Sequence, residues 1–280
     1  MSLRALPIAP ITMEQALDRV DAAVASRTRL RIGVVNAAKI VNMASDASLR
    51  EDVLASDLVL ADGASVVWAR RFLGRPLPER VAGIDLMMGI LRRGNEKRYR
   101  VFCLGATREV LDGVCARIAA DFPGIVVVGA RDGYYSDADE EALAAEIDRS
   151  SPDVIFVAMT SPRKERFLAR WSQRLDVRVW HGVGGSFDVL AGKTRRAPRL
   201  WQQLGLEWLY RVLQEPRRLW KRYLVTNTVF CAMVVREALR AAPAPGAQVQ
   251  GTTPPVPERV VDDGDERRRQ LPGEAPSGRR

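Results

Sequence analysis

Residues 30–63 read LRIGVVNAAKIVNMASDASLREDVLASDLVLADG, and this stretch decides the fold. It opens on an apolar run over 30–35, closes on a second over 58–60, and carries an amphipathic pattern over 38–55 between them. The apolar runs are β-branched or aliphatic rather than alternating with polar residues, as expected of strands covered on both faces. Strand, helix and strand in that order imply a parallel pair joined by a right-handed crossover. The same rhythm continues outward. Strands are expected over 100–104, 125–128, 154–159 and 177–180, and helices over 64–73, 84–94, 108–121, 138–149 and 163–175. The fold class that follows is α/β, an open Rossmann-like, mostly parallel sheet with helices on both faces and the alternation running over 12–195. No internal repeat is present.

Beyond this core come two further helical patterns, over 199–214 and 216–239, the second opening on Pro216, which a first helical turn tolerates. The chain therefore divides into a core over 1–195, a helical appendage over 196–240 and a tail over 241–280. The tail holds 7 of the 16 prolines, no aromatic residue, and 6 basic against 6 acidic side chains, and is expected to be disordered. The formal charge of +9 therefore belongs to residues 1–240, and residues 193–240 alone carry 11 Lys/Arg against 3 Glu, with 3 of the 6 tryptophans. Such charges can be a plain solvated helix face. No nucleic-acid motif accompanies them, and their mixture with tryptophan favours a diphosphate together with an anionic membrane surface.

With 47% hydrophobic and 28% charged residues, wholesale disorder is excluded. Cys103, Cys115 and Cys231 form no CxxC pair, which points to reduced thiols and a cytoplasmic setting. The first ten residues lack the apolar core of a signal peptide, and the apolar stretch over 224–235 is about half a bilayer span. Any membrane attachment is therefore expected to be peripheral. His181 is the one histidine of the chain, and without clustered cysteines no metal site is expected.

Ligands of open α/β sheets bind at the carboxyl ends of the strands. Those positions are Asn36, Asp62-Gly63, Gly105-Ala106-Thr107, Asp132-Gly133, Thr160-Ser161-Pro162 and the segment from Gly182 to Asp188. Asp62 can serve as a general base or simply cap the helix expected from residue 64. Gly105-Ala106-Thr107 can cradle a phosphate, though a tight turn capped by Thr107 is favoured. It lacks the GxGxxG fingerprint, so a nicotinamide cofactor is not supported. Gly182, Gly184 and Gly185 together favour close approach of backbone to a ligand. His181 reads as a packed or hydrogen-bonded residue rather than a catalyst, and Ser161 as a helix cap with solvated charges behind it. Asp137 and Asp139 have the spacing of a metal motif but fall at an apparent helix N-terminus, where acids are ordinary.

Taken together, VVNAAKIVNM, ADGASVVWA, PERVAGIDL, FCLGATREVL, RDGYYS, SPRKE, GVGGSFDVLAGKTRRAP and GLEWLYRVLQEPRRLWKRYL resemble the bacterial WecG/TagA/CpsF-type glycosyltransferases. RDGYYS and GLEWLYRVLQEP are individually specific. The resemblance implies an inverting, metal-independent transfer, without a cofactor, of a hexose or N-acetylhexosamine. The donor would be a UDP-sugar, and the acceptor an undecaprenyl-diphosphate-linked sugar at the cytoplasmic membrane surface, on the inner face of the plasma membrane. On the matching motifs, Asp62 is the base, and Asn36 and Arg80 line the site. The appendage closes over the crevice with Arg211, Arg218 and Lys221 on the nucleotide diphosphate. Two positions depart from the common pattern. Val34 stands where Thr is frequent and Lys164 where Gln is common, both expected to face the sugar nucleotide. Lys164, with Gly184 and Gly185, completes the substrate-binding set. The variants look closer to exopolysaccharide-type members. The resemblance also raises a homo-oligomer assembled through the Rossmann-like domain, for which no interface is legible. The reading from a different class is a non-catalytic UDP-sugar-binding scaffold docked on membrane synthases.

Overall fold

In the computed structural model, which describes residues 1–241, the apolar runs form one six-stranded sheet. Its strands are β1 (Leu30–Val35), β2 (Leu58–Ala61), β3 (Arg100–Gly105), β4 (Val126–Arg131), β5 (Val154–Ala158) and β6 (Val179–Gly182). They lie in the order β2-β1-β6-β5-β3-β4, every pair parallel. β5 and β6 are buried at each position, as strands covered on both faces must be. β6 starts two residues later than the apolar run suggests. Val177 instead accepts a hydrogen bond from the Trp180 indole, and pairing with β1 and β5 begins at Val179. His181 and Gly182 thereby fall inside the strand rather than after it.

The helices are α1 (Met13–Ala25), α2 (Ala37–Ser45), α3 (Ala47–Leu54), α4 (Ala64–Phe72), α5 (Gly83–Lys97), α6 (Arg108–Asp121), α7 (Glu140–Ser150), α8 (Arg163–Trp171), α9 (Ser186–Leu190), α10 (Arg199–Gln203), α11 (Glu207–Gln214) and α12 (Pro216–Ala241). α1 was not expected, although Thr12 and Gln15 form a capping box at its start. The helix expected over 38–55 is two helices, because Asp46 leaves helical geometry and its carboxylate caps Leu49 N–H. α1, α5 and α6 cover one face through Leu17, Val20, Leu86, Ile90 and Val114. On the other face α2, α3 and α4 pack over β1 and β2, and α7 and α8 over the remainder.

α12 returns to the core. Phe230 and Met233 are buried in the same cluster as Met43 and Val66, each burial contributing about 2 kcal/mol. Farther along α12, Glu237 accepts hydrogen bonds from the backbone N–H groups of Leu3 (2.6 Å) and Arg4 (2.8 Å). Arg70 in turn donates to the carbonyls of Leu3 and Arg4, at 3.0 Å each. The expected tail lies, beyond Ala241, outside the described residues. No helix among those described is long and apolar enough to cross a membrane.

Candidate functional site

Asp62 ends β2 at the carboxyl edge of the sheet. Its N–H continues the ladder to the Val35 carbonyl at 2.9 Å, so the side chain is set by strand pairing. The carboxylate does not cap the helix that follows, since α4 is capped by Gly63 without a side-chain bond. Instead Oδ1 accepts the N–H of Gly83, the first residue of α5, at 2.8 Å. An acid at a helix N-terminus is favoured there by the helix dipole and by an otherwise orphaned N–H. The second carboxylate oxygen has no hydrogen-bond partner among the described residues.

Asn36 ends the neighbouring β1 and caps α2, its Oδ1 accepting Lys39 N–H at 3.0 Å. It abuts the Asp62-Gly63 turn so closely that a Cβ on Gly63 would lie 3.3 Å from its own Cβ. Val34 also reaches this corner, with a methyl carbon 3.6 Å from where a Cβ on Gly83 would stand.

Lys164 and Glu165 correct the reading of SPRKE as a capped start with solvated charges. α8 begins after Pro162 without a side-chain cap, and both residues are buried. One Glu165 oxygen takes Lys39 Nζ at 2.8 Å and Lys164 Nζ at 3.4 Å. Burial, reinforced by the Lys39 charge, pulls the Lys164 ammonium down to about 8. Burial would push the Glu165 carboxyl up, but the Lys164 and Lys39 charges prevail and bring it to about 2. The glycines of the 182–185 segment now have a local reason. A Cβ on Gly182 would sit 2.8 Å from Lys164 Cδ, and one on Gly184 would sit 3.6 Å from its Nζ. Gly184 also adopts φ +51°, a conformation that favours glycine, whereas Gly185 caps α9. Part of the expected backbone approach is therefore to Lys164.

Arg80 lies between core and appendage. Its guanidinium pairs with Glu207 of α11 and lies 4.0 Å from Asp85. Arg196 grips the Asp85 carboxylate with both nitrogens, at 2.6 and 2.7 Å, and approaches Glu207 to 3.9 Å. The hydrogen bonds it donates to Asp85 hold the Arg196 guanidinium above its ordinary value. Arg211 and Lys221 are exposed and form no ion pair among the described residues, Lys221 lying 5.5 Å over the Trp220 ring. The Arg218 side chain lies outside the described residues. The structure thus gathers Asn36, Asp62, Lys164 and Gly184, ties Arg80 to the appendage, and leaves Arg211 and Lys221 facing outward.

The remaining strand ends are structural. Gly105, at φ +116°, permits β3 to meet Ala158 so closely that a Cβ would be 2.6 Å from its carbonyl carbon, and Thr107 caps α6. Arg163 donates to the carbonyls of Gly133 (2.9 Å) and Tyr135 (2.6 Å) and stacks on the Tyr135 ring, holding the RDGYYS loop. The Asp139 carboxylate is taken up by Ser136 in a capping box. Among the described residues no three His, Cys, Asp or Glu side chains are grouped to hold a metal. His181 is fully buried, its Nε2 3.0 Å from the Gly83 carbonyl, and burial lowers it to about 4, so it is neutral. Asp85, Arg196 and Glu207 escaped the sequence reading, while His181 is the packed, hydrogen-bonded residue expected. The first three sit inside PERVAGIDL, GKTRRAP and GLEWLYRV, so only the motifs hinted at them.

Residues 1–244 match the family described as "Glycosyl transferase WecG/TagA/CpsF family". The chain is 39% identical over 201 residues to an N-acetylglucosaminyldiphosphoundecaprenol N-acetyl-beta-D-mannosaminyltransferase of Bacillus spizizenii, covering 71% of this chain and 77% of that protein. It is 39% identical over 174 residues to a protein of the same name from Bacillus subtilis, covering 62% and 67% respectively.

Proposed function

Because the chain belongs to the WecG/TagA/CpsF family of glycosyltransferases, we propose that it transfers a hexose or N-acetylhexosamine from a UDP-sugar to a polyprenyl-diphosphate-linked saccharide. The relatives' names specify an undecaprenyl-diphosphate acceptor, and the same acceptor class is assigned here. The observation that carries the reading is Asp62, fixed through one oxygen and free at the other. A carboxylate so held can take the proton of an acceptor hydroxyl as that oxygen attacks the anomeric carbon. The bond to UDP breaks on the opposite face, which inverts the configuration, and the diphosphate departs with both electrons of the cleaved C–O bond, gaining one negative charge.

That departing charge needs cations. Arg80 stands at the junction, while Arg211, Arg218 and Lys221 are assigned to a closure over the donor of the part of the appendage that precedes the packed end of α12. Each preorganised donor of this kind is worth on the order of 3 kcal/mol. No step requires a metal. Val34 and Lys164 are the assigned contacts on the sugar side, and exopolysaccharide assembly is the process assigned. Trp208, Trp220 and Leu224 are exposed among Arg217, Lys221 and Arg222, a mixture suited to an anionic membrane surface.

The test is UDP release from a panel of UDP-sugars with a synthetic lipid-diphosphate sugar, with and without EDTA. Turnover should survive EDTA, and Asp62→Asn should lower it about 1,000-fold while donor binding persists, in line with loss of a general base. Near wild-type turnover in Asp62→Asn would refute the assignment of the base.

A further inference from the structure

Gly83 is held from both sides. Its N–H binds Asp62 Oδ1 at 2.8 Å, and its carbonyl lies 3.0 Å from His181 Nε2. A carbonyl oxygen only accepts, so Nε2 carries the imidazole proton and Nδ1 is bare. Nδ1 is buried and has no partner, an arrangement that costs stability and that an aromatic or aliphatic residue would avoid. Packing alone therefore does not account for a histidine here. The hydrogen bond to Gly83 does.

The ring is rigidly placed. β6 lies between β1 and β5, with His181 in register between Ile32 and Phe156, and the Phe156 ring meets the imidazole edge-on at 6.2 Å between centroids. Ala82, the N-cap of α5, supplies no side-chain bond. The start of α5 is thus tied to the sheet by two side chains, one from β6 and the other Asp62 itself. Movement of Gly83 would rotate the carboxylate whose other oxygen faces the substrate.

We propose that His181 is a positioning residue for sugar transfer, holding the Gly83 carbonyl so that the Gly83 N–H fixes the direction of the Asp62 carboxylate. This rests on Asp62 being the base. Small misplacements of a reacting group can lower rates on the order of 100-fold without touching substrate affinity.

Two substitutions separate positioning from packing. His181→Phe retains a buried ring and removes the donor, whereas His181→Gln places an amide N–H close to the Nε2 position. The readouts are kcat and donor KM by UDP release, melting temperature, and the amide resonance of Gly83 in 15N-glycine-labelled protein, assigned by its loss in Gly83→Ala. His181→Phe should lower kcat on the order of 10- to 100-fold at unchanged donor KM and shift the Gly83 resonance upfield. His181→Gln should restore most of both. If the phenylalanine protein does not fold, His181→Leu carries the same comparison. The proposal is overturned if kcat survives loss of the donor, if Gln is no better than Phe, or if the loss resides in KM. The Gly83 resonance reads the link independently of turnover. A failure of Asp62 as base would show in Asp62→Asn, and a failure of His181 would show in this resonance.

Discussion

The strand side of the crevice and the appendage side are built by different means. On the strand side Asp62 is fixed by Gly83, Asn36 by its cap on Lys39, and Lys164 by Glu165, each with a hydrogen bond or ion pair inside the fold. On the appendage side Arg211 and Lys221 are exposed without ion pairs among the described residues, although Glu207 of the same α11 pairs with Arg80. The proposed base is therefore preorganised, and the cations proposed for the leaving diphosphate are displayed but not engaged. The contrast suits the proposed transfer to a lipid-linked acceptor, in which charge stabilisation would be completed only when the appendage meets the donor.

The comparison breaks first at the cations. Arg211→Ala with Lys221→Ala should lower kcat on the order of 100-fold with the melting temperature unchanged, since neither residue supports the fold. Turnover within a few-fold of wild type would place the diphosphate elsewhere. The far end of the appendage should behave in the opposite way. Glu237 joins α12 to Leu3 and Arg4, so Glu237→Ala should cost about 2 to 3 kcal/mol in urea unfolding and leave kcat within about 3-fold. With that end pinned, closure must pivot within α10, α11 and the first turns of α12. A kcat loss matching that of the arginine variant would move the pivot to the far end.

The sheet was legible because buried parallel strands carry their own signal, and the order of strand and helix leaves few topologies. Asp62 and Asn36 were legible for the same reason, since the carboxyl ends of such strands are where polar residues collect. What escaped was set by tertiary contact. That Asp62 caps α5 rather than α4 depends on a helix that begins 21 residues away, which no local pattern encodes. SPRKE looks like solvated charge until Gly182 leaves room for Lys164 to lie buried. The role proposed for His181 depends on its lying inside β6, which starts two residues later than the apolar run suggests. α1 went unread although its capping box is a local signal.

The preorganised side also leaves a trace in stability. Burial lowers His181 from 6.5 to about 4, so as pH falls the unfolded chain takes up this proton first and the folded chain only near 4. Stability contributed by the neutral ring is full above 6.5 and is lost as pH drops through that window, about 2 kcal/mol between pH 7 and pH 5. Urea unfolding at the two pH values should show this loss in the wild type. The difference should shrink by about 2 kcal/mol in His181→Phe, which has no proton to gain. Equal slopes in both proteins would mean the imidazole is not held neutral.

Lys164 sharpens the comparison most finely, because it is a cation that the strand side already possesses. It faces Glu165, Lys39 and Asp62, and its burial together with the Lys39 charge lowers it to about 8. On the proposed assignment, its charged form would offset part of the donor's negative charge and above about 8 would do so no longer. The ratio kcat/KM for the donor, which reports ionisations of the free enzyme, should therefore fall as pH rises through about 8. Lys164→Gln should abolish that descending limb and lower the plateau at neutral pH about 10-fold, the equivalent of about 1.4 kcal/mol. A limb that survives the substitution would belong to another group. The Lys39–Glu165–Lys164 cluster would then serve only to seat α8 against the sheet, with all the useful positive charge arriving from the appendage.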